Sequence, residues 1–242
     1  MSHSGLRRTV IREELFSEAL GKTRPVRIFL PPGFNGMEPL RIVYCQDGEE
    51  CFNFGRIATH AMKLIAEEGF EPFLIVGVDV DMPNRAAEYS PEGSRFERYS
   101  RFFLGELMPY IESRYPVRAG AGDRILIGDS RGAAASLHLS LQVPDLIQKV
   151  VSLSGAFLES TMKIVEEIED LSWLKLYQLI GTEEREVETV AGTFDFLAWN
   201  RRLRLMFEER GAAVRYVEKP GTHTWGFWQR ELPDALRWAL AD

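Results

Sequence analysis

The chain has 242 residues, 45% of them hydrophobic and 11% aromatic, with a formal net charge of −7 and a pI near 5.3. That is enough apolar material for one sizeable core, so one domain over residues 1–242 is expected. The acidic balance, without a long basic cluster, speaks against a nucleic-acid or anionic-membrane partner, and no stretch approaches the roughly 20 uninterrupted apolar residues of a membrane span.

The opening "MSHSGLRRTVIREEL" has basic residues but no apolar region behind them, unlike a secretion signal, and a cytoplasmic protein is expected. Cys45 and Cys51 lack C-x-x-C spacing and are too few for a disulfide framework or a zinc site. Both are expected as free thiols, Cys45 in the core and Cys51 in a loop where it would be reactive.

Two β-rich runs come first, "RTVIREELF" and "RPVRIFLP", followed by the strand "LRIVYCQ". A helix is predicted over Arg56 to Glu68, with Ile57, Ala61, Leu64 and Ile65 on one face. "FLIVGVDV" reads as a buried strand and residues 80–100 as a long polar loop. Phe103, Leu107, Tyr110 and Ile111 then mark a helix face, "RILIGD" a strand, and Arg131 to Val143 a helix stopped by Pro144. "KVVSLSG" and "LKLYQLIG" are further strands. A helix stripe follows at Trp199, Leu203, Met206 and Phe207, then the strand "VRYVEKP" and a closing helix through Trp228, Leu232, Ala235 and Leu236.

Continuous apolar strands, each followed by an amphipathic helix, require a mostly parallel sheet covered on both faces. The leading runs would add antiparallel edge strands. In such α/β sheets reactive groups gather beyond the carboxyl ends of the strands, and the segment "ILIGDSRGAAAS" puts Ser130 at one such end, between Gly128 and Gly132.

By chance alone, a chain of this length shows G-x-S-x-G about one time in ten, so the pentapeptide by itself is weak. Its context is specific, because an apolar strand precedes it and an Ala-rich helix follows. That is the setting of a nucleophile elbow, where a strained serine stands clear of the sheet and flanking glycines relieve crowding. The same turn aims the backbone N–H of Arg131 at the place where an oxyanion would develop.

A serine needs a base. Of four histidines, His3 lies near the terminus, His60 falls within the first helix, and His138 falls two turns into the helix after Ser130. His223, in the loop "KPGTHTWGFW" between the last strand and the last helix, has the position of the base in a Ser, acid, His order. A histidine base predicts loss of activity on the acid side of neutrality. The acid is expected in "LIGTEEREVE", where Glu183 and Glu184 both qualify and Glu186 is an outside candidate.

"GDSRG", the "GTEE" turn, "HTWGFW" and "RAAEYSP" together resemble the esterase family of α/β-hydrolases that includes esterase D, feruloyl esterases and enterochelin esterase-like hydrolases. The likeness runs from "IFLPPGF" through "YCQDGEECF" to the final helix. It is nearest the enterochelin esterase-like branch, with its Asp-Gly pair after the third strand and a His-x-Trp-x-x-Trp ending at His223, Trp225 and Trp228. The resemblance implies an α/β-hydrolase fold and an ester hydrolase acting on a small-molecule substrate with neither cofactor nor metal. It favours Glu184 over Glu183 as the acid and implies Gly48 as a second oxyanion donor beside Arg131. It also implies an Arg85–Glu88 pair that shapes the loop 80–100, a segment expected as a lid or binding loop.

Glu49, Arg85, Trp225 and Trp228 are the further candidates for touching substrate. Two residues depart from the family pattern: Ala133 replaces a frequent glycine, and Arg131 occupies a position that is often apolar. A cation there would favour acidic substrates. The rival readings are an acyltransferase or peptidase built on the same three residues, and a hydrolase-fold binding protein without chemistry.

Overall fold

The computed structural model describes residues 8–189 and 192–241; His3 lies outside the described residues. The strands and helices in chain order are β1 (Thr9–Ser17), β2 (Lys22–Leu30), β3 (Arg41–Cys45), α1 (Gly48–Asn53), α2 (Ile57–Glu67), β4 (Phe73–Val78), α3 (Arg85–Tyr89) and α4 (Phe96–Ser100). After a π-helical stretch, Arg101–Leu107, come α5 (Met108–Glu112), β5 (Arg124–Asp129), α6 (Arg131–Gln142), β6 (Lys149–Leu153), α7 (Glu159–Glu166) and β7 (Lys175–Gly181). The chain ends with β8 (Val187–Thr189), β9 (Gly192–Phe194), α8 (Phe196–Glu209), β10 (Ala213–Lys219) and α9 (Trp225–Leu240).

Eight strands form one sheet in the order β1-β2-β4-β3-β5-β6-β7-β10, while β8 and β9 pair as a separate hairpin. Pairing is antiparallel for β1 with β2 and β2 with β4, and parallel from β4 to β10. This is the mostly parallel sheet with an antiparallel edge that the apolar runs predict, and it is the α/β-hydrolase arrangement.

Alternation along each central strand sends neighbouring side chains to opposite faces. Val43, Cys45, Ile125 and Ile127 pack toward α2 and α9, while Ile42, Tyr44 and Leu126 pack toward the helical run through Phe102, Phe103 and Ile111 and toward α6. Strands buried on both faces have no solvent side, which is why they read as unbroken apolar runs.

Three expectations are corrected. Residues 80–100 do not form an irregular loop: a 3-10 turn (Met82–Asn84), α3 and α4 occupy them, and Glu88, Tyr89, Ser90, Phe96, Tyr99 and Ser100 are buried. Cys51 is not an exposed loop thiol either. It sits in α1 at 4% exposure, and contact with Cys45, together with burial, pushes its thiol well above the ordinary range, so it stays protonated and inert. Arg56 precedes α2 rather than opening it, in a left-handed conformation at φ 50°.

Candidate active site

The parallel topology carries the ends of β3, β5, β6, β7 and β10 to one edge of the sheet, where Ser130, Glu184 and His223 lie in the turns after β5, β7 and β10, while Glu49, Arg85 and Arg131 lie in α1, α3 and α6. Ser130 follows β5 with φ 50° and ψ −119°, outside the regions that a residue with a Cβ occupies without strain. Four backbone bonds hold it: its N–H donates to Leu153 O at 2.9 Å, and its carbonyl accepts from Ala156 N at 2.9 Å, Ala133 N at 3.2 Å and Ala134 N at 3.4 Å. The glycines are explained by contact. A Cβ on Gly128 would stand 2.2 Å from the carbonyl carbon of Gly132, and one on Gly132 would stand 2.9 Å from Asp47 Oδ2.

His223 reaches back from the β10–α9 turn. Its Nδ1 is 2.7 Å from Glu184 Oε2 and its Nε2 is 2.9 Å from Ser130 Oγ. A carboxylate only accepts, so Nδ1 carries the proton and donates to Glu184. Nε2 is then left with a lone pair facing the serine hydroxyl. Ring packing fixes the imidazole plane: Phe196 lies 4.5 Å and Trp228 5.0 Å from it, centroid to centroid, the latter edge-on.

The candidate glutamates stand in different surroundings. Glu184 is fully buried against His223, and its other oxygen, Oε1, accepts from Ser154 Oγ at 2.6 Å and from Gly181 N at 2.9 Å. Glu183 and Glu186 are exposed, and the Glu183 N–H donates to Gly221 O at 3.1 Å, which ties the β7 turn to the loop carrying His223. Trp228 Nε1 donates to Ser154 Oγ at 2.8 Å and Trp225 Nε1 to Glu50 Oε2 at 2.8 Å, and the two indoles meet edge-on at 5.3 Å.

Gly48 opens α1 at the end of β3, the strand next to β5. A Cβ there would come within 2.5 Å of the Gly77 backbone. Asp47, just before it, is left-handed at φ 48°. Glu49 is 62% exposed at its side chain and pairs with Arg27 Nη2 at 3.1 Å. The Arg131 side chain is half-buried and donates to Ser90 Oγ at 2.7 Å. Arg85 pairs with Asp47 rather than Glu88, with Nε to Oδ1 at 2.9 Å and Nη2 to Oδ2 at 2.7 Å. Glu88 pairs instead with Arg24 and with Arg95 Nε at 3.3 Å. The expected Arg85–Glu88 pair gives way because Glu88 is fully buried and takes a guanidinium from β2 beneath it.

The remaining histidines lie elsewhere. His60 is in α2, and His138, buried in α6, has Nε2 2.9 Å from Thr161 Oγ1. Sequence reading missed Ser154, Asp47 and Asp129. One signal for Ser154 was available, since "SLSG" ends β6 at the level where "IGDS" ends the adjacent β5. A small polar residue there looks into the same turn cluster. Among the described residues, no group of three or more His, Cys, Asp or Glu side chains is arranged to hold a metal ion, and no helix is long and apolar enough to cross a membrane.

The family described as "Putative esterase" matches residues 17–239. The chain is 31% identical over 231 residues to the uncharacterized protein YjcH of Bacillus subtilis (strain 168), covering 95% of this chain and 96% of that protein. Among solved structures it is similar to a ferulic acid esterase, with a TM-score of 0.82 at 19% identity over 98% of this chain and 99% of that one. It is also similar to the enterobactin esterase of Shigella flexneri solved in the presence of enterobactin, with a TM-score of 0.79 at 20% identity over 96% of this chain and 58% of that one. With S-formylglutathione hydrolase from Staphylococcus aureus the TM-score is 0.73 at 16% identity over 97% of this chain and 100% of that one. At those identities the structures share the fold, while the family match spans nearly the whole chain. The chain therefore belongs to the family described as "Putative esterase" and is a carboxylic ester hydrolase of the α/β-hydrolase fold.

Proposed function

We propose that the protein cleaves a small-molecule ester through an acyl-enzyme, with Ser130 as nucleophile, His223 as base and then acid, and Glu184 as the carboxylate that orients the imidazole. The observation that carries this reading is the line of contacts Ser130 Oγ, His223 and Glu184 at 2.9 and 2.7 Å, with the carboxylate fully buried at its far end. Ser130 Oγ attacks the carbonyl carbon as its proton passes to His223 Nε2, and Glu184 stabilises the imidazolium without taking the proton. Collapse of the tetrahedral intermediate expels the alcohol, which receives the proton from Nε2. Water then repeats the sequence on the acyl-enzyme.

The oxyanion would be met by the backbone N–H groups of Arg131 and Gly48, which lie at the ends of adjacent parallel strands. Each such donor supplies about 3–4 kcal/mol of transition-state stabilisation in a comparable site. Trp228, at 4% exposure, packs edge-on against His223 and is too buried for the substrate contact expected of it, while Trp225, half-buried, is proposed as an aromatic wall for the substrate. That favours an aryl ester or a catecholate lactone over a short alkyl ester.

The direct test is labelling with a fluorophosphonate and mass mapping of the adduct, followed by hydrolysis of a nitrophenyl acetate, an aryl-acyl ester and a trilactone siderophore. The expected result is one adduct on Ser130 and faster turnover of the aromatic substrates. An adduct elsewhere, or a Ser130→Ala protein that hydrolyses esters at the wild-type rate, would overturn the assignment.

A further inference from the structure

We infer that Arg85 is a positioning residue for this reaction: its guanidinium binds the turn that carries Gly48 to the strand end that carries Ser130, and so sets the two oxyanion N–H groups against one another. The inference rests on the mechanism proposed above and adds to it a group that touches neither substrate nor the reacting atoms.

The contacts come from one short stretch of chain. Arg85 and Tyr89 are four residues apart, on one face of α3. Arg85 grips the Asp47 carboxylate with two parallel bonds at 2.9 and 2.7 Å, and Tyr89 Oη accepts from the Asp47 backbone N–H at 3.2 Å. From α4, Tyr99 Oη donates to Gln46 Oε1. Both the side chain and the backbone of the residue before Gly48 are therefore held by residues of α3, and the residue before that by α4. The same Arg85 Nη2 also reaches the residue before Ser130, at 3.5 Å from the Asp129 carbonyl oxygen and 3.7 Å from Asp129 Oδ2.

The turn needs such a grip. Asp47 is left-handed at φ 48° and 1% exposed, a conformation and a charge that are both unfavourable without external support. Planar bidentate geometry fixes the carboxylate in orientation as well as in distance, which a point cation does not do. Burial, then the neighbouring Asp47 carboxylate, push the Asp129 carboxyl well above the ordinary carboxylate range, and its Oδ1 has no hydrogen-bond partner, so the guanidinium serves Asp47 first. Substrate contact is the competing role for Arg85, whose side chain is 19% exposed, and kinetics separate the two roles. Misplaced oxyanion donors lower kcat, whereas a lost substrate contact raises KM.

The test compares Arg85→Lys and Tyr89→Phe with wild type and with Ser130→Ala, using a nitrophenyl ester and the rate of fluorophosphonate labelling. Tyr89→Phe removes the acceptor for the Asp47 N–H and leaves every charge in place, so it reports on the turn even where the charge-retaining Arg85→Lys folds poorly. Expected is a kcat lowered about 10- to 100-fold in Arg85→Lys, somewhat less than complete loss of one oxyanion donor. A smaller fall is expected in Tyr89→Phe, with KM within about threefold and labelling slowed in proportion in both. Wild-type kcat in both variants with an inactive Ser130→Ala would overturn the role of Arg85 alone, and so would a KM raised more than about tenfold at unchanged kcat. Wild-type hydrolysis by Ser130→Ala would sink the serine mechanism and this inference with it.

Discussion

Ser154 Oγ donates a 2.6 Å hydrogen bond to the oxygen of Glu184 that faces away from His223. The same hydroxyl oxygen accepts from Trp228 Nε1 at 2.8 Å, so a single side chain fixes the carboxylate and the indole that flanks the imidazole. Ser154→Ala would leave the buried indole N–H unpaired and Glu184 Oε1 with only Gly181 N. Loss of about 1–3 kcal/mol of stability is expected, read by urea denaturation, since a stranded buried donor costs its full desolvation. A kcat fall of about tenfold should accompany it, because the carboxylate then orients the imidazole less tightly. Unchanged denaturation and unchanged kcat would show the bridge to be idle.

Glu184 and Glu183 differ in what lies around them, and their amides should differ accordingly. Glu184→Gln keeps the shape but can present an amide N–H toward Nδ1, favouring the wrong imidazole tautomer, and kcat should fall about 10⁴-fold. Glu183 is exposed, so Glu183→Gln should leave kcat within about twofold and stability within about 0.5 kcal/mol. Steady-state kinetics of the two proteins decide between them, and equal losses would defeat the assignment of the acid.

How much of this was legible in the sequence follows from the length of each element. Strands β3 to β7 showed as apolar runs because helices cover both faces, and α2, α6, α8 and α9 are long enough to display a stripe. By contrast α1, α3 and α4 have five or six residues, too few for a helical period, and residues 80–100 therefore read as loop. The β8–β9 hairpin, with three residues in each strand, is likewise too short to show a period.

Ser130 and His223 stood out because punctuation marks a strand-to-helix turn, and the two glutamates because they follow a strand-ending glycine. Which glutamate turns inward was not legible from physics alone, since Ser154, thirty residues away, helps to decide it. The partner of Arg85 was hidden similarly: Glu88 lies three residues off, an apparent helical neighbour, yet Arg24, 64 residues away, takes it.

The conformation of Ser130 predicts a separation of stability from function. At φ 50° and ψ −119° a Cβ is strained, at a cost of order 1–3 kcal/mol, which glycine avoids. Against this stands glycine's own entropic penalty of about 0.5–1 kcal/mol. Ser130→Gly should therefore be more stable than Ser130→Ala by about 1 kcal/mol in urea titrations, with both proteins inactive. A less stable glycine variant would mean that the elbow holds no strain.

His138 gives the acid side of the stability profile. Burial lowers its pKa to about 4, with Glu92 opposing only slightly, and the ring packs edge-on against Phe96 while Nε2 meets Thr161 Oγ1. The unfolded chain takes up a proton near pH 6.5, whereas the folded chain resists until about pH 4. Stability from the neutral buried ring is thus complete above pH 6.5, is lost as pH falls through that window, and changes no further below pH 4, where both states are protonated. The loss amounts to about 3 kcal/mol across the window. His138→Gln retains a hydrogen-bonding group for Thr161 but cannot titrate. Wild type should therefore lose stability relative to the variant between pH 6.5 and 4, when urea midpoints are compared at pH 7 and pH 4.5. Parallel profiles for the two proteins would show that His138 is not held neutral in the folded state.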